Sequence, residues 1–173
     1  MIRRRFSILA CLLSIGAVSE AWAQSSESVM FAPTCASNPR NGEILSSRGL
    51  VAEGGHVLEI DNGSTGNAII KVREANTNTL LLSFFVESNQ KAQVGGIPDG
   101  DYKVQFATGA TLGGDCRNFL KLQWAEQFPG VQTFQTQRTA TQIITSVLSY
   151  TLYEVAGGNV SPQTISAQDF NLP

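Results

Sequence analysis

The stretch TLLLSFFVE, residues 79–87, decides the fold that this sequence favours. Every second residue from Leu80 to Val86 is apolar, as expected for one face of a strand, because side chains alternate between the two faces of an extended chain. The intervening Leu81 and Phe85 are apolar as well. We therefore predict a central strand that is covered on both faces.

The same two-residue alternation extends in both directions from this stretch. It recurs in residues 57–61, 68–73, 102–106, 120–124 and 141–155. Turn residues separate these segments, and at Pro98-Asp99-Gly100 we predict a hairpin turn. About seven to nine strands and no comparable helical window favour an antiparallel β-sandwich, with a small β-barrel as the alternative.

Two of the later segments carry specific expectations about the core. Alternation places Trp124 on an inner face together with Leu120 and Leu122, so we expect Trp124 to pack in the core. Residues 141–155 are long enough for one bent strand or two. Residues 160–165 are expected to add an edge strand.

The first residues have the three-part build of a bacterial secretory signal. Three arginines from Arg3 to Arg5 precede an apolar run at 6–18, which is too short to span a bilayer. Ala21-Trp22-Ala23 provides a site for cleavage after Ala23. We expect a periplasmic or secreted protein without a membrane span. Its predicted regions are a signal peptide at 1–23, an extended N-terminal arm at 24–43 and a single β domain at 44–173.

Charge and cysteine content narrow the class further. The chain has a formal net charge of −2 and no cluster of Lys and Arg in the exported part, which argues against a nucleic-acid partner. Cys11 falls in the predicted signal peptide, leaving Cys35 and Cys116. We expect these two to form a disulfide in an oxidising compartment, the alternative being two buried thiols.

Candidates for catalysis and metal binding are few. His56 is the single histidine, so any Ser–His–Asp site has to include it. Ser64, in NGSTG at 62–66, lacks the first glycine of a nucleophile elbow. Asp99 and Asp101 do not complete a calcium loop. We expect an exposed His56 at the start of a strand, no catalytic residue, no metal site and no cofactor.

Binding to a partner is easier to accommodate. Phe128 and Phe134 flank a Pro129-Gly130 turn, and we predict that they form an exposed aromatic patch. Such a patch fits a protein or glycan partner. The sequence predicts no particular oligomeric state.

The segment GIPDGDYKV, residues 96–104, resembles a turn and strand of carboxypeptidase-regulatory-like and collagen-adhesin B-type domains. The likeness extends over Gly54–Gly109, which is similar to small bacterial secreted β-sandwich domains. It implies a sandwich with a structural or binding role, and it carries over no catalytic residue.

These observations favour an exported, non-enzymatic binding or accessory module of the bacterial envelope or extracellular space. Two alternatives belong to other classes. One is a small secreted hydrolase that uses His56, and the other is a secreted enzyme inhibitor that inserts a loop such as 109–115.

Overall fold

The computed structural model describes residues 32–51, 54–153 and 160–173. The predicted signal peptide and the first part of the predicted arm lie outside these residues. Among the helices that are described, none is long and apolar enough to cross a membrane.

The larger of two sheets has seven strands. They are β1 (Ile44–Ser47), β3 (Asn67–Glu74), β4 (Leu80–Val86), β6 (Gly100–Gly109), β7 (Leu122–Gln127), β8 (Gln132–Phe134) and β12 (Gln163–Thr164). Their order is β1–β4–β3–β6–β7–β12, and β8 continues along β6 where β7 stops. All of these pairings are antiparallel.

The smaller sheet has three strands, β2 (His56–Asn62), β5 (Gln90–Ile97) and β11 (Val147–Thr151), in the order β11–β2–β5. A short hairpin of β9 (Gln137–Arg138) and β10 (Ile143–Ile144) and one helical turn, α1 (Ala167–Phe170), complete the described elements. The chain is therefore an all-β sandwich that is not closed into a barrel, as predicted.

One pairing departs from the antiparallel rule. β11 runs parallel to β2, with Val147 opposite Val57 and Thr151 opposite Asp61. Strands joined by a tight turn must be antiparallel. β2 and β11 are far apart in the chain, and the residues between them form most of the larger sheet. The direction of β11 is therefore free of that constraint.

The turn at residues 98–100 is not a hairpin, contrary to the prediction. It joins β5 in the smaller sheet to β6 in the larger one, so the two strands do not pair. The hydroxyl of Tyr102 donates to the backbone oxygen of Pro98 across this corner. Turn residues specify that the chain reverses, but the pairing depends on where each apolar face is buried.

Two apolar clusters lie on opposite faces of the larger sheet. The first fills the space between the sheets and contains Leu58, Ile70, Phe84 and Phe106. The second lies on the outer face and contains Ile69, Phe85, Phe119 and Phe170. It is covered by the loop that follows β6 and by α1.

Covering of both faces was predicted for residues 79–87 and is confirmed, since Phe84 and Phe85 are both fully buried. The prediction for Trp124 is wrong, because its side chain is 41% exposed and Ala125 is the buried residue instead. Ala125 pairs with Ala107, and both belong to the second cluster. Trp124 lies on the opposite face and pairs with Thr108.

Candidate functional site

A row of polar side chains crosses the outer face of the larger sheet. The register aligns six residues on neighbouring strands, Ser46, Ser83, Lys71, Gln105, Gln127 and Gln163. Residues opposite each other in a ladder point to the same face. The adjoining row is apolar, with Phe85, Ile69, Ala107 and Ala125 in register. Along the direction of the strands, an apolar row of side chains on the outer face is thus followed by a polar row.

Lys71 is the charged member of this row and is almost completely buried, with 3% of its surface exposed. Its ammonium donates to the Oδ1 atom of Asn118 at 3.0 Å and to the backbone oxygen of Phe170 at 2.9 Å. It also lies 4.5 Å from the centre of the Phe170 ring, within range of a cation–π interaction. All of these partners are uncharged.

Arg73 lies two residues further along β3 and has no exposed surface. Its guanidinium donates to Oε1 of Gln105 and to the backbone oxygens of Asn78, Phe170, Leu172 and Pro173. It therefore ties the C-terminal residues to the turn between β3 and β4. Among the side chains that the structure describes, no carboxylate lies within 4.0 Å of Lys71 or Arg73.

Lys71 forms part of the wall of a cleft of about 720 Å³ beside the polar row. Three cationic side chains line it, Arg48, Lys71 and Arg117, together with one acidic side chain, Asp115. The neutral polar lining consists of hydroxyl and amide side chains: Ser46, Thr77, Asn78, Thr79, Ser83, Asn118 and Asn171. An acidic protein therefore has a locally cationic cleft.

The disulfide Cys35–Cys116 holds one wall of this cleft. The predicted pairing of these cysteines is confirmed. Two further contacts stabilise the loop at residues 115–118. The amide of Arg117 donates to Oδ1 of Asp115, and Nδ2 of Asn118 lies 3.4 Å from Oδ2 of Asp115. Hydrogen bonds thus link Lys71 to Asn118 and Asn118 to Asp115.

The electrostatics of the cleft follow from burial. Desolvation by burial and, to a smaller extent, the positive charge of Arg73 lower the pKa of Lys71 to about 8, although the carboxylate of Asp115 acts in the opposite direction. Burial also lowers the pKa of Arg73. A bound anion would offset the cost of burying these charges, since opposite charge favours the charged form.

His56 lies at the start of β2 and is fully buried, so the prediction of an exposed histidine is wrong. The amide of Ser146 donates to its Nδ1 atom at 2.9 Å, which requires a lone pair there. The proton of the neutral ring is therefore on Nε2, which lies 2.8 Å from Oδ1 of Asp99. Phe134 packs against the ring at 4.8 Å between centroids.

This contact joins elements that are far apart in sequence. Asp99 also accepts from the amide and the hydroxyl of Thr136, so the two segments around residues 99 and 136 meet at one carboxylate. The hydroxyl of Thr136 and then the ring of His56 lower the pKa of Asp99 to about 2. Both nitrogens of His56 are engaged, which suits a structural clamp between β2, β11 and the corner.

Ser64 and residues 109–115, which were considered for hydrolysis and for inhibition, make contacts within the fold. The hydroxyl of Ser64 donates to Oδ1 of Asn62 and to the backbone oxygen of Gly66. Leu112, in the loop considered for an inhibitor, is buried in the second cluster. In the described part of the chain, no group of three or more His, Cys, Asp or Glu residues could hold a metal ion.

The prediction of an aromatic patch at Phe128 and Phe134 is also wrong. Both side chains belong to the first apolar cluster, and they are 2% and 4% exposed. Phe128 stacks on Tyr150 with 3.7 Å between ring centroids, and Phe134 covers His56. The two phenylalanines flank a surface turn but point inward, where the first cluster offers apolar contacts.

Comparison of the chain with protein-family models, curated proteins and solved structures finds no match. The resemblance of Gly54–Gly109 to known secreted domains therefore stays a prediction. The fold and the geometry of the cleft are the basis for the function proposed below.

The cleft was not predicted from the sequence, because its cations Arg48, Lys71 and Arg117 are far apart in the chain. Lys71 and Arg73 alternate with Ile70 and Val72, which is also the pattern of a strand with one solvated face. A signal was nevertheless present in residues 79–87. If both faces of β4 are covered, then the outward residues of a neighbouring strand are covered as well.

Proposed function

We propose that this protein is an exported, non-enzymatic binding module and that the cleft holds an anionic group of its ligand. The observation that carries the proposal is the buried ammonium of Lys71, which has only uncharged hydrogen-bonding partners. Burying a charge without a counter-charge is costly, and functional sites are where proteins retain such groups.

The composition of the cleft supports a binding role. Arg48 and Arg117 are exposed cations at its wall, where they can attract and contact an anion, while the charge of Lys71 beneath adds to the positive potential. Arginine also presents a planar fork of donors that matches a carboxylate. The volume of the cleft lies in the range of small-molecule sites, which is about 300 to 1,000 Å³.

Export to the periplasm or the extracellular space is part of the same proposal. The signal-like residues 1–23 and the disulfide Cys35–Cys116 support it, because disulfides persist in oxidising compartments. Expression of the full chain in a bacterial host tests this step. N-terminal sequencing of the extracytoplasmic protein should begin at Gln24, and a chain retained in the cytosol with its N-terminus intact would contradict it.

Calorimetric titration of the purified protein with citrate tests the binding step, with glycerol as a neutral probe. We expect citrate to bind and glycerol not to bind. The variant R48Q/R117Q should weaken citrate binding by at least about tenfold, since each charge-assisted contact contributes about 1.5 to 3 kcal/mol.

The matched control is R40Q/R138Q, which removes two exposed charges outside the cleft. It should bind citrate like the unchanged protein. Equal losses in both double variants would mean that only overall charge matters, and the proposal would then be wrong. Absence of citrate binding in the unchanged protein would also overturn it.

A further inference from the structure

We infer that the ligand is an acidic saccharide, with a carboxylate held by the cationic side of the cleft, where Arg48 and Arg117 are exposed, and with ring hydroxyls directed to the neutral wall. This inference rests on the proposed function and names its ligand class. It follows from the mixture of donors and acceptors around the cations, which differs from what a simple anion requires.

A phosphate or sulfate ion presents acceptor oxygens to its site, so a site built for it needs donors. The cleft has donors, but it also places the carboxylate of Asp115 in its wall. That carboxylate lies beside the cations and repels a compact anion. Each sugar hydroxyl, in contrast, both donates and accepts, so Asp115 can accept from one of them.

Other side chains that line the cleft can also both donate and accept hydrogen bonds. Ser46 and Ser83 extend the polar row away from Lys71, and each hydroxyl can donate and accept. Asn171 adds an amide at the C-terminal side of the cleft. A carboxylate held by the cations of the cleft thus has hydroxyl and amide groups in the same lining that can bind the hydroxyls of a sugar ring.

Apolar side chains complete the fit. Leu80, Leu172 and Pro173 also line the cleft. Sugar rings have apolar faces formed by C–H groups, and these can pack on aliphatic side chains. The chemistry of the cleft therefore matches a ring that carries a carboxylate, several hydroxyls and an apolar face.

The test is a calorimetric comparison of digalacturonic acid, the matching neutral galactobiose and inorganic sulfate on the purified protein. We expect digalacturonic acid to bind at least about tenfold more tightly than galactobiose, because a charged hydrogen bond is replaced by a neutral one. Sulfate should bind more weakly than digalacturonic acid.

The variant D115N separates this inference from simple anion binding. Asn keeps an acceptor for the amide of Arg117 but removes the negative charge. We expect D115N to weaken binding of digalacturonic acid by about fivefold, since one strong acceptor for a hydroxyl is lost. Sulfate binding should become tighter, because a like charge has been removed.

Each result has a separate meaning. If sulfate binds as tightly as digalacturonic acid, or if D115N strengthens both, the saccharide inference is wrong while the proposed anion-binding function stands. If neither digalacturonic acid nor sulfate binds, the saccharide inference is wrong, and the citrate titration decides the proposed function. Equal binding of galactobiose and digalacturonic acid would also refute the inference, because the carboxylate would then contribute nothing.

Discussion

The ammonium of Lys71 donates to the backbone oxygen of Phe170 and lies 4.5 Å from the centre of the same residue's ring. One residue of the C-terminal segment thus covers the buried charge with both its backbone and its side chain. Phe170 is itself fully buried in the second apolar cluster. A packed element of the fold therefore holds the ammonium of Lys71. The free-energy cost of burying this charge is included in the net stability of the domain.

Anion affinity should depend on pH through Lys71. Its pKa of about 8 means that the free cleft loses this charge as the pH rises above about 8, well before an exposed lysine would. We expect citrate affinity to fall as the pH rises from about 7 through about 8, where citrate is already fully ionised. Calorimetry across this range measures the change. The variant K71M should bind weakly with no such fall, and a decline that persists in K71M would contradict the assignment.

Replacing Lys71 and Arg73 should have different effects on stability. K71M removes the cost of a buried charge but also the donor to Asn118 and Phe170, so the two effects oppose each other and the free energy of unfolding should change by less than about 1 kcal/mol. R73M leaves Gln105 and several backbone oxygens without their donor, which should lower it by about 3 kcal/mol. Urea unfolding of both variants measures this. A loss in K71M as large as that in R73M would contradict the account.

The disulfide should stabilise both the fold and the cleft. Cys35 and Cys116 are separated by 81 residues, and cross-linking a loop of that size stabilises by about 4 kcal/mol in the chain-entropy model. We expect C35S/C116S to lose about this much in urea unfolding. Its citrate affinity should also fall, because Arg117 and Asn118 adjoin Cys116.

A reducing agent provides the control for that experiment. It should destabilise the unchanged protein and leave C35S/C116S unaffected. If the double variant binds citrate as tightly as the unchanged protein, the loop around Cys116 does not form the wall of the site.

Asp99 should contribute to stability only above a defined pH. Its pKa is lowered from 3.8 to about 2 in the folded protein, so its contribution is fully present above about pH 4 and is lost as the pH falls through 3.8 towards 2. Urea unfolding of the unchanged protein and of D99N at a series of pH values measures this difference. In a T136V background the difference should shrink, since the hydroxyl of Thr136 is the leading cause of the shift. A difference that stays constant down to pH 2 would contradict the assignment.

The alternation in residues 79–87 and in their neighbours was sufficient to predict a layered β fold, because burial of a two-residue pattern requires a sheet. The same pattern could not place Trp124, since it does not say how far the opposing sheet extends. The smaller sheet has only three strands against seven in the larger one, and Trp124 remains 41% exposed. The reversal at residues 98–100 was likewise predictable, but its crossing between sheets was not.

The candidate site was less predictable than the fold. Disulfide formation by Cys35 and Cys116 followed from counting cysteines outside the predicted leader. The cleft depends on which strands become neighbours, and only the register brings Ser46 and Ser83 into line with Lys71. His56 and Asp99 meet because the chain crosses from the smaller to the larger sheet after β5, which no local pattern encodes.

The most direct test of the anion-binding cleft is an NMR titration of the isotopically labelled protein with citrate. We predict that the amide signals of Ser46, Ser83 and Asn118 shift together in a saturable way, since these residues surround Lys71 in the cleft. The signals of β2 and β11 on the smaller sheet should stay in place. Shifts confined to the smaller sheet, or no saturable shift at any residue of the cleft, would contradict the account.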